Sequence, residues 1–134
     1  MERTITVILA IMVRVCGLIA LALGVAFWAG YDVPLHVHMA FGGLLVVALW
    51  GLAVQVRARA AGLALAAGVW GGVVPVLGML QLLLSLGEDQ WVLQGLHLAA
   101  GLGSIVLAEF LAKRLRSPAS PSNPPIFIEN ETTP

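Results

Sequence analysis

The sequence predicts an all-α membrane protein in which four transmembrane helices form an up-down-up-down bundle with both termini in the cytoplasm. The first observation is composition: of 134 residues, 60% are hydrophobic and only 10% are charged, whereas soluble domains carry about 25% charged residues. The second is a succession of four apolar runs, each near the length of about 20 residues that a bilayer requires. The third is the shortness of the links between them, which makes neighbouring helices antiparallel.

The four runs account for most of the chain up to residue 112. They are Ile5 to Ala29, Leu35 to Val56, Ala61 to Leu86, and Trp91 to Ala112. The first run begins like a secretory signal peptide, but its length and its internal Arg14 favour a helix that is retained. The third run contains Pro75, which removes a backbone hydrogen bond, so we expect a bend at residues 70–75.

Positive charge marks one side of the predicted bundle. If the helices alternate in direction, this side collects Arg3, Arg57, Arg59, Lys113, Arg114 and Arg116. Because cytoplasmic flanks of membrane helices are enriched in lysine and arginine, we expect this side to face the cytoplasm, in a bacterial inner membrane. The opposite side carries acidic residues and the aromatic residues typical of a membrane interface: Asp32, Glu88, Asp89, Trp28, Tyr31 and Trp91.

The chain divides into the bundle, residues 1–116, and a Pro-rich tail, residues 117–134. Serine, proline and asparagine dominate the start of the tail and cannot form a core, so an extended cytoplasmic segment is expected. Two roles stay open for it. It is either a solubilising end or, through the apolar residues Ile126, Phe127 and Ile128, a peptide that docks on a partner.

Charge and cysteine usage exclude several classes of function. Seven basic and seven acidic residues give a formal net charge of zero, which leaves no basic surface for a phosphate backbone, so no nucleic acid partner is expected. A single cysteine, Cys16, excludes an intrachain disulfide, a thiolate zinc site and the paired thiols of c-type haem attachment. Any metal must therefore use nitrogen or oxygen ligands.

Three histidines fall at one level of the predicted membrane, opposite the basic side. His36 and His38 open the second helix, and His97 lies in the second turn of the fourth. Histidine is rare inside membrane spans and usually faces the bundle interior, so each of the three is a functional candidate. A pattern of histidine, three residues and glycine occurs twice, with the two histidines 59 residues apart. The two pairs are His38 with Gly42 and His97 with Gly101.

This pattern favours one b-type haem with His38 and His97 as axial ligands. The second and fourth helices run in the same direction at diagonal corners of the bundle, so both imidazoles can point at its axis. The glycine one turn below each histidine leaves room for a flat macrocycle. His36 is an alternative ligand, because it lies about 200° around the helix from His38 and only one of them can face the axis. Gln94 is a candidate to hydrogen-bond to the other nitrogen of an axial histidine.

Two other interpretations of the histidines stay open. They can serve as interfacial anchors or as hydrogen-bond partners between helices, which is the usual role of a single histidine in a membrane span. With Asp32, the three histidines can instead hold copper or zinc without a porphyrin.

The chain resembles four-helix transmembrane cytochromes b, and in particular one half of the haem A synthase family. The resemblance covers about residues 5–115 and is carried by His38, by His97 and by the segment 94–100. It implies histidine ligands on the second and fourth helices near the outer side. Proteins of that family have two such halves, so one half implies a homodimer or a different partner chain. The family places a glutamate before a His-Arg pair on its second helix. Residues 34–39 lack both, which argues against catalytic oxidation of haem.

Arg14 is a charged residue about 14 Å inside the first helix, which requires a compensating contact. Glu109 lies near the same end of the fourth helix, which is expected to neighbour the first, and is the partner that we predict. The alternatives are that Arg14 extends to the lipid headgroups, or that it contacts a partner subunit, a quinone or a lipid phosphate.

Three functions follow from these observations. The first is a haem b electron-transfer protein, a subunit of a larger respiratory or photosynthetic membrane complex, with a quinol or a soluble carrier as its redox partner. Ligation by two histidines closes both axial positions and favours electron transfer over oxygen activation. The second is an accessory subunit that binds membrane lipid and other membrane subunits without a cofactor. The third is a haem-handling factor of the kind that the family resemblance implies.

Overall fold

The computed structural model describes residues 2–84 and 87–117, and these form four long helices. Helices α1 (Glu2–Trp28), α2 (Leu35–Val56) and α3 (Ala61–Leu83) are followed by a 3₁₀ turn (Gly87–Asp89) and by α4 (Gln90–Arg116). Each helix is long and apolar enough to cross a membrane. The predicted four-helix, all-α architecture is therefore confirmed.

The helix bounds agree with the apolar runs to within a few residues. The bounds of α2 are those predicted, α3 ends three residues before the predicted Leu86, and α4 continues four residues beyond the predicted Ala112. The extension of α4 carries three basic residues in its last turn, where positive charge interacts favourably with the helix dipole. Residues 118–134, nearly all of the predicted tail, lie outside the described residues.

The end of α1 is set by a glycine. Gly30 has a φ of +86°, a left-handed conformation that glycine adopts without strain. Its N–H donates to the Phe27 carbonyl at 3.1 Å, and the N–H of Tyr31 donates to the Ala26 carbonyl at 3.0 Å. This pair of bonds is the Schellman arrangement that satisfies the last carbonyls of a helix. It turns the chain back, so that α2 runs antiparallel to α1.

The helices contact one another in chain order around the bundle, and α4 closes the ring against α1. α2 and α4 also contact each other across the centre, whereas α1 and α3 do not, within the described residues. The cross-section is therefore a rhombus with α2 and α4 on its short diagonal. This arrangement agrees with the predicted diagonal placement of the two helices that carry the histidines.

The apolar core lies in the half of the bundle near the basic helix ends. Among the described residues, five large apolar side chains are fully buried, and they come from α1, α2 and α4: Val13, Leu49, Leu52, Val56 and Leu111. Burial of one such side chain stabilises the fold by about 1.5–3 kcal/mol. The half of the bundle near the basic helix ends is therefore tightly packed, and the other half is packed more loosely.

Two tryptophans fix the position of α3. The indole nitrogens of Trp50 and Trp70 donate to backbone carbonyls of α3 and α4, at 3.1 and 3.0 Å. Each indole lies against a glycine, because a Cβ at Gly71 would stand 2.5 Å from Trp50 and one at Gly103 would stand 2.6 Å from Trp70. Small residues permit such close approach between membrane helices. α3 is thereby held against both neighbours although it contributes little to the core.

Arg14 and Glu109 form the predicted ion pair between α1 and α4. The guanidinium of Arg14 donates through Nε and through Nη2, with 2.7 Å between Nη2 and the second carboxylate oxygen. The side chains are 45% and 41% exposed on the surface of the isolated bundle. A planar guanidinium that meets both carboxylate oxygens gives a strong and directional contact. The prediction of this pair is confirmed.

Candidate functional site

The half of the bundle away from the basic helix ends contains a partly open cavity of about 670 Å³, bounded by all four helices. This volume lies within the range of about 300–1,000 Å³ that small-molecule and cofactor sites occupy. Its lining is mostly apolar and, among the residues that the structure describes, includes no Lys, Arg, Asp or Glu. Besides the edge of Trp28, the polar side chains that line it are His38, His97, Gln81, Gln90 and Gln94. A ligand of this cavity therefore has a large apolar body.

His38 enters the cavity from the first turns of α2. Its Nδ1 lies 2.9 Å from the Ala20 carbonyl of α1. A carbonyl oxygen only accepts, so Nδ1 carries a proton, and the nitrogen through which this ring would bind a metal is Nε2. The ring also lies against Gly24, where a Cβ would stand 3.3 Å from Cε1. A metal-binding histidine commonly donates its other ring nitrogen to a backbone carbonyl, and His38 has this arrangement.

His97 enters the same cavity from α4. Its ring lies over Gly78 of α3, where a Cβ would stand 3.1 Å from Cε1. Its Nδ1 is buried and lacks a partner at hydrogen-bond geometry, although the backbone of Val74 interacts with the ring. The ring is therefore positioned by close packing against a helix backbone.

The two histidine environments repeat each other. In each case the histidine lies over a glycine of the preceding helix and near a backbone group four residues before that glycine. The residues are Ala20, Gly24 and His38 in the first half, and Val74, Gly78 and His97 in the second. Neither Gly24 nor Gly78 was predicted from the sequence as a site residue. The sequence feature that could have identified them is their position: each glycine lies on the preceding helix at the level of its histidine.

The two imidazoles both line the cavity, with ring centroids 6.0 Å apart and planes tilted by 54°. Aromatic rings in ordinary contact span about 4.5–7 Å, so this distance fits a simple ring contact. It fits a metal as well: two imidazoles that bind one ion from opposite sides have centroids about 6.4 Å apart, given metal–nitrogen bonds of about 2.0–2.1 Å. The observed separation of 6.0 Å is therefore compatible with either arrangement.

Gly42 and Gly101, the two glycines of the repeated pattern, both line the cavity. A Cβ built at either position has no atom of a neighbouring residue within 4 Å. Both positions therefore border open space, unlike Gly24 and Gly78, which a histidine ring covers. This is the free volume beside each histidine that a flat macrocycle requires.

Of the other residues predicted for the site, one lies outside the cavity and one lines it. His36 is exposed and does not line the cavity, whereas His38 does, so α2 is rotated to present His38 to the bundle interior. Gln94 lines the cavity but makes no hydrogen bond to His97 within the described residues. The predicted alternative of a copper or zinc site with Asp32 gains no support, because the described residues contain no group of three or more metal-binding side chains.

Two polar atoms in the described part of the chain are buried without a hydrogen-bond partner, Nδ1 of His97 and Nε2 of Gln81. Both residues line the cavity. Buried polar groups are bonded in folded proteins as a rule. The His97 ring interacts with the backbone of Val74 on α3, whereas Nε2 of Gln81 is left to be satisfied by another group. The chain matches no protein-family model, no curated protein and no solved structure, and its function is therefore argued from this geometry.

Proposed function

We propose that the protein is a membrane-bound b-type haem protein in which His38 and His97 are the two axial ligands. One observation carries the proposal: imidazoles from two facing helices lie 6.0 Å apart inside an apolar cavity. Nδ1 of His38 is already bonded, which leaves its Nε2 for a metal. Gly42 and Gly101 border the open space beside the two rings. The residues present thus fit a haem.

The function that follows is electron transfer. Haem at this site would accept and release one electron at its iron, and ligation by two histidines leaves no axial position for oxygen. The residues of this chain have two further roles: the Ala20 carbonyl holds the His38 ring in orientation, and the lining offers a mostly apolar surface to the macrocycle. A buried apolar site of this kind favours the less charged redox state, which raises the reduction potential.

The membrane topology supports a redox partner at the outer face. The basic helix ends, with Arg57, Arg59 and Arg116, are assigned to the cytoplasm by the positive-inside rule, with both termini on that side. The cavity is then nearer the outer surface of a membrane such as the bacterial inner membrane. A quinol or a soluble carrier on that side is the electron partner that this placement favours. One haem cannot cross the bilayer alone, so a second copy or other membrane subunits complete the path.

The proposal is tested by purifying the protein in detergent from cells supplied with haem, and by recording a reduced-minus-oxidised spectrum. We expect a b-type α band, a low-spin ferric signal in electron paramagnetic resonance, and one haem per chain. A protein that folds but takes up no haem, either in cells or on addition of haemin, contradicts the proposal. It would leave an accessory membrane subunit as the better interpretation.

Replacing a glycine that lines the cavity with a larger residue should weaken haem binding while the bundle stays folded. Gly42→Leu and Gly101→Leu each place a side chain in the open space beside a histidine, and leucine is also the better helix former. Overpacking costs about 1–3 kcal/mol, so we expect haem affinity to fall about tenfold or more. Haem titration of the haem-free protein measures this.

Gly72→Leu is the matched control for these two variants. Gly72 also has open space around its Cβ position, lies in the interior of α3, and does not line the cavity. Its replacement should leave haem affinity unchanged. Equal haem affinities for all three variants and the wild type would place the macrocycle elsewhere.

A further inference from the structure

We infer that the side-chain amide of Gln81 donates a hydrogen bond to an oxygen atom of the molecule that occupies the cavity. The inference rests on the proposed function, because it concerns the molecule that this function places in the cavity and says which residue contacts its polar end. Nε2 of Gln81 is buried, has no partner, and belongs to a residue that lines the cavity. This atom has almost no accessible surface, so the amide must turn toward the cavity, where an acceptor on the occupant then satisfies it.

The position of Gln81 along α3 shows at which end of the cavity its side chain lies. Gln81 lies one helical turn beyond Gly78, on the same face and towards the link to α4. His97 packs on Gly78, so Gln81 lies about 4.5 Å further along the bundle axis than the level of the histidine ring. The contact is thus at the end of the cavity nearest the α3–α4 link, away from the packed core.

Two further glutamines lie at the same end. Gln90 and Gln94 line the cavity from the first turns of α4, and Gln94 is one turn from His97 in the same direction. Nε2 of Gln90 donates to the backbone carbonyl of Gln81 at 3.1 Å, which fixes the start of α4 against the end of α3. The opposite end of the cavity is closed by apolar side chains. Oxygen-bearing groups of an occupant are therefore directed to the glutamine end.

The described part of the lining has no lysine or arginine, so recognition of these oxygens depends on the glutamine amides. Two molecules of the proposed function carry suitable acceptors. One is the haem itself, whose propionate carboxylates form its only polar edge. The other is a quinone, whose ring carbonyls would reach the glutamine end beside the haem. Both have the same chemistry at Gln81, an oxygen acceptor on an otherwise apolar ring system.

The test compares wild-type protein with Gln81→Leu and Gln81→Glu in three titrations of the full chain in detergent. The ligands are haemin, an iron porphyrin that carries ethyl groups in place of the propionates, and decyl-ubiquinone. Gln55→Leu is the control: it removes a glutamine at the opposite end of the bundle, where Gln55 bonds to Thr6. All variants are first compared with wild type by circular dichroism and thermal unfolding.

If Gln81 contacts a propionate, Gln81→Leu weakens haemin binding about tenfold or more, as expected for a bond to a charged acceptor, and leaves the ethyl porphyrin unaffected. Gln81→Glu weakens haemin further, because it adds a negative charge and removes the donor. If Gln81 contacts a quinone, both porphyrins bind unchanged, and the affinity for decyl-ubiquinone falls instead. Either result supports the donor role.

Unchanged binding of all three ligands in folded Gln81→Leu protein overturns the inference. It would show that the amide is satisfied by water and not by an occupant. This failure differs from failure of the haem site, in which wild-type protein itself takes up no haemin. In that case the decyl-ubiquinone titration still decides whether Gln81 meets an oxygen acceptor.

Discussion

Alanine in place of His38 or His97 is expected to abolish the b-type spectrum of the purified protein. Each substitution removes one of the two imidazoles that face each other at 6.0 Å. Loss of a residue that only orients a metal ligand already costs about 10–100-fold in metal affinity, so loss of a ligand should lower haem content by more than about tenfold. Optical spectra and haem extraction measure the content, and circular dichroism verifies that the helices persist.

His36→Ala is the matched control. His36 lies two residues from His38 on the same helix, but it is exposed and outside the cavity lining. Its haem content and spectrum should match those of the wild type. If instead His36→Ala loses the haem and His38→Ala retains it, the orientation of α2 proposed for the holoprotein is wrong. A five-coordinate, high-spin spectrum in one of the site variants would identify the remaining ligand.

The second large effect is expected at the ion pair between Arg14 and Glu109. Glu109→Leu leaves a guanidinium on the apolar surface of the bundle without its bidentate partner. Arg14→Leu leaves a carboxylate there in the same way. Removing one partner is more damaging than removing both, because the remaining charge loses its compensation in a medium that solvates charge poorly. Each single variant should lower the unfolding temperature in lipid nanodiscs by about 5 °C or more.

The double variant Arg14→Leu with Glu109→Leu should recover most of that loss, since two apolar side chains suit the lipid-facing surface. Phe110→Leu, a change at an exposed neighbour on α4, is the control for altered lipid contact. Thermal unfolding of all four variants in nanodiscs gives the coupling between the two residues. Single variants as stable as the wild type would show that Arg14 is compensated by lipid headgroups and not by Glu109.

The two experiments are independent because the ion pair and the histidines lie in different halves of the bundle. The ion pair joins α1 to α4 at its surface near the packed core, whereas His38 and His97 line the cavity. Loss of the ion pair should therefore reduce the yield of folded protein without changing the spectrum of the haem that remains. Loss of a histidine should abolish the b-type spectrum and leave the yield of folded protein nearly constant.

The sequence by itself determined the number of helices, their order and most of their bounds. Four runs of apolar residues can satisfy their backbone groups in a membrane only as helices, and short links such as residues 30–34 leave neighbours no option but to reverse direction. It also paired Arg14 with Glu109, because both lie near one end of helices that must be adjacent. Hydropathy was less informative about helix ends: α4 continues to Arg116, beyond the last apolar run.

Only the tertiary structure decided how the helices are rotated and which residues meet. Helical periodicity places His36 and His38 on different faces of α2, but it does not identify the face that turns inward. That depends on the contact of the His38 ring with Ala20 and Gly24 of α1. Gly78 and Gln81 were missed as site residues for the same reason. Each acquires its role from a neighbouring helix, and the relative register of two helices is set by side-chain packing that no single segment encodes.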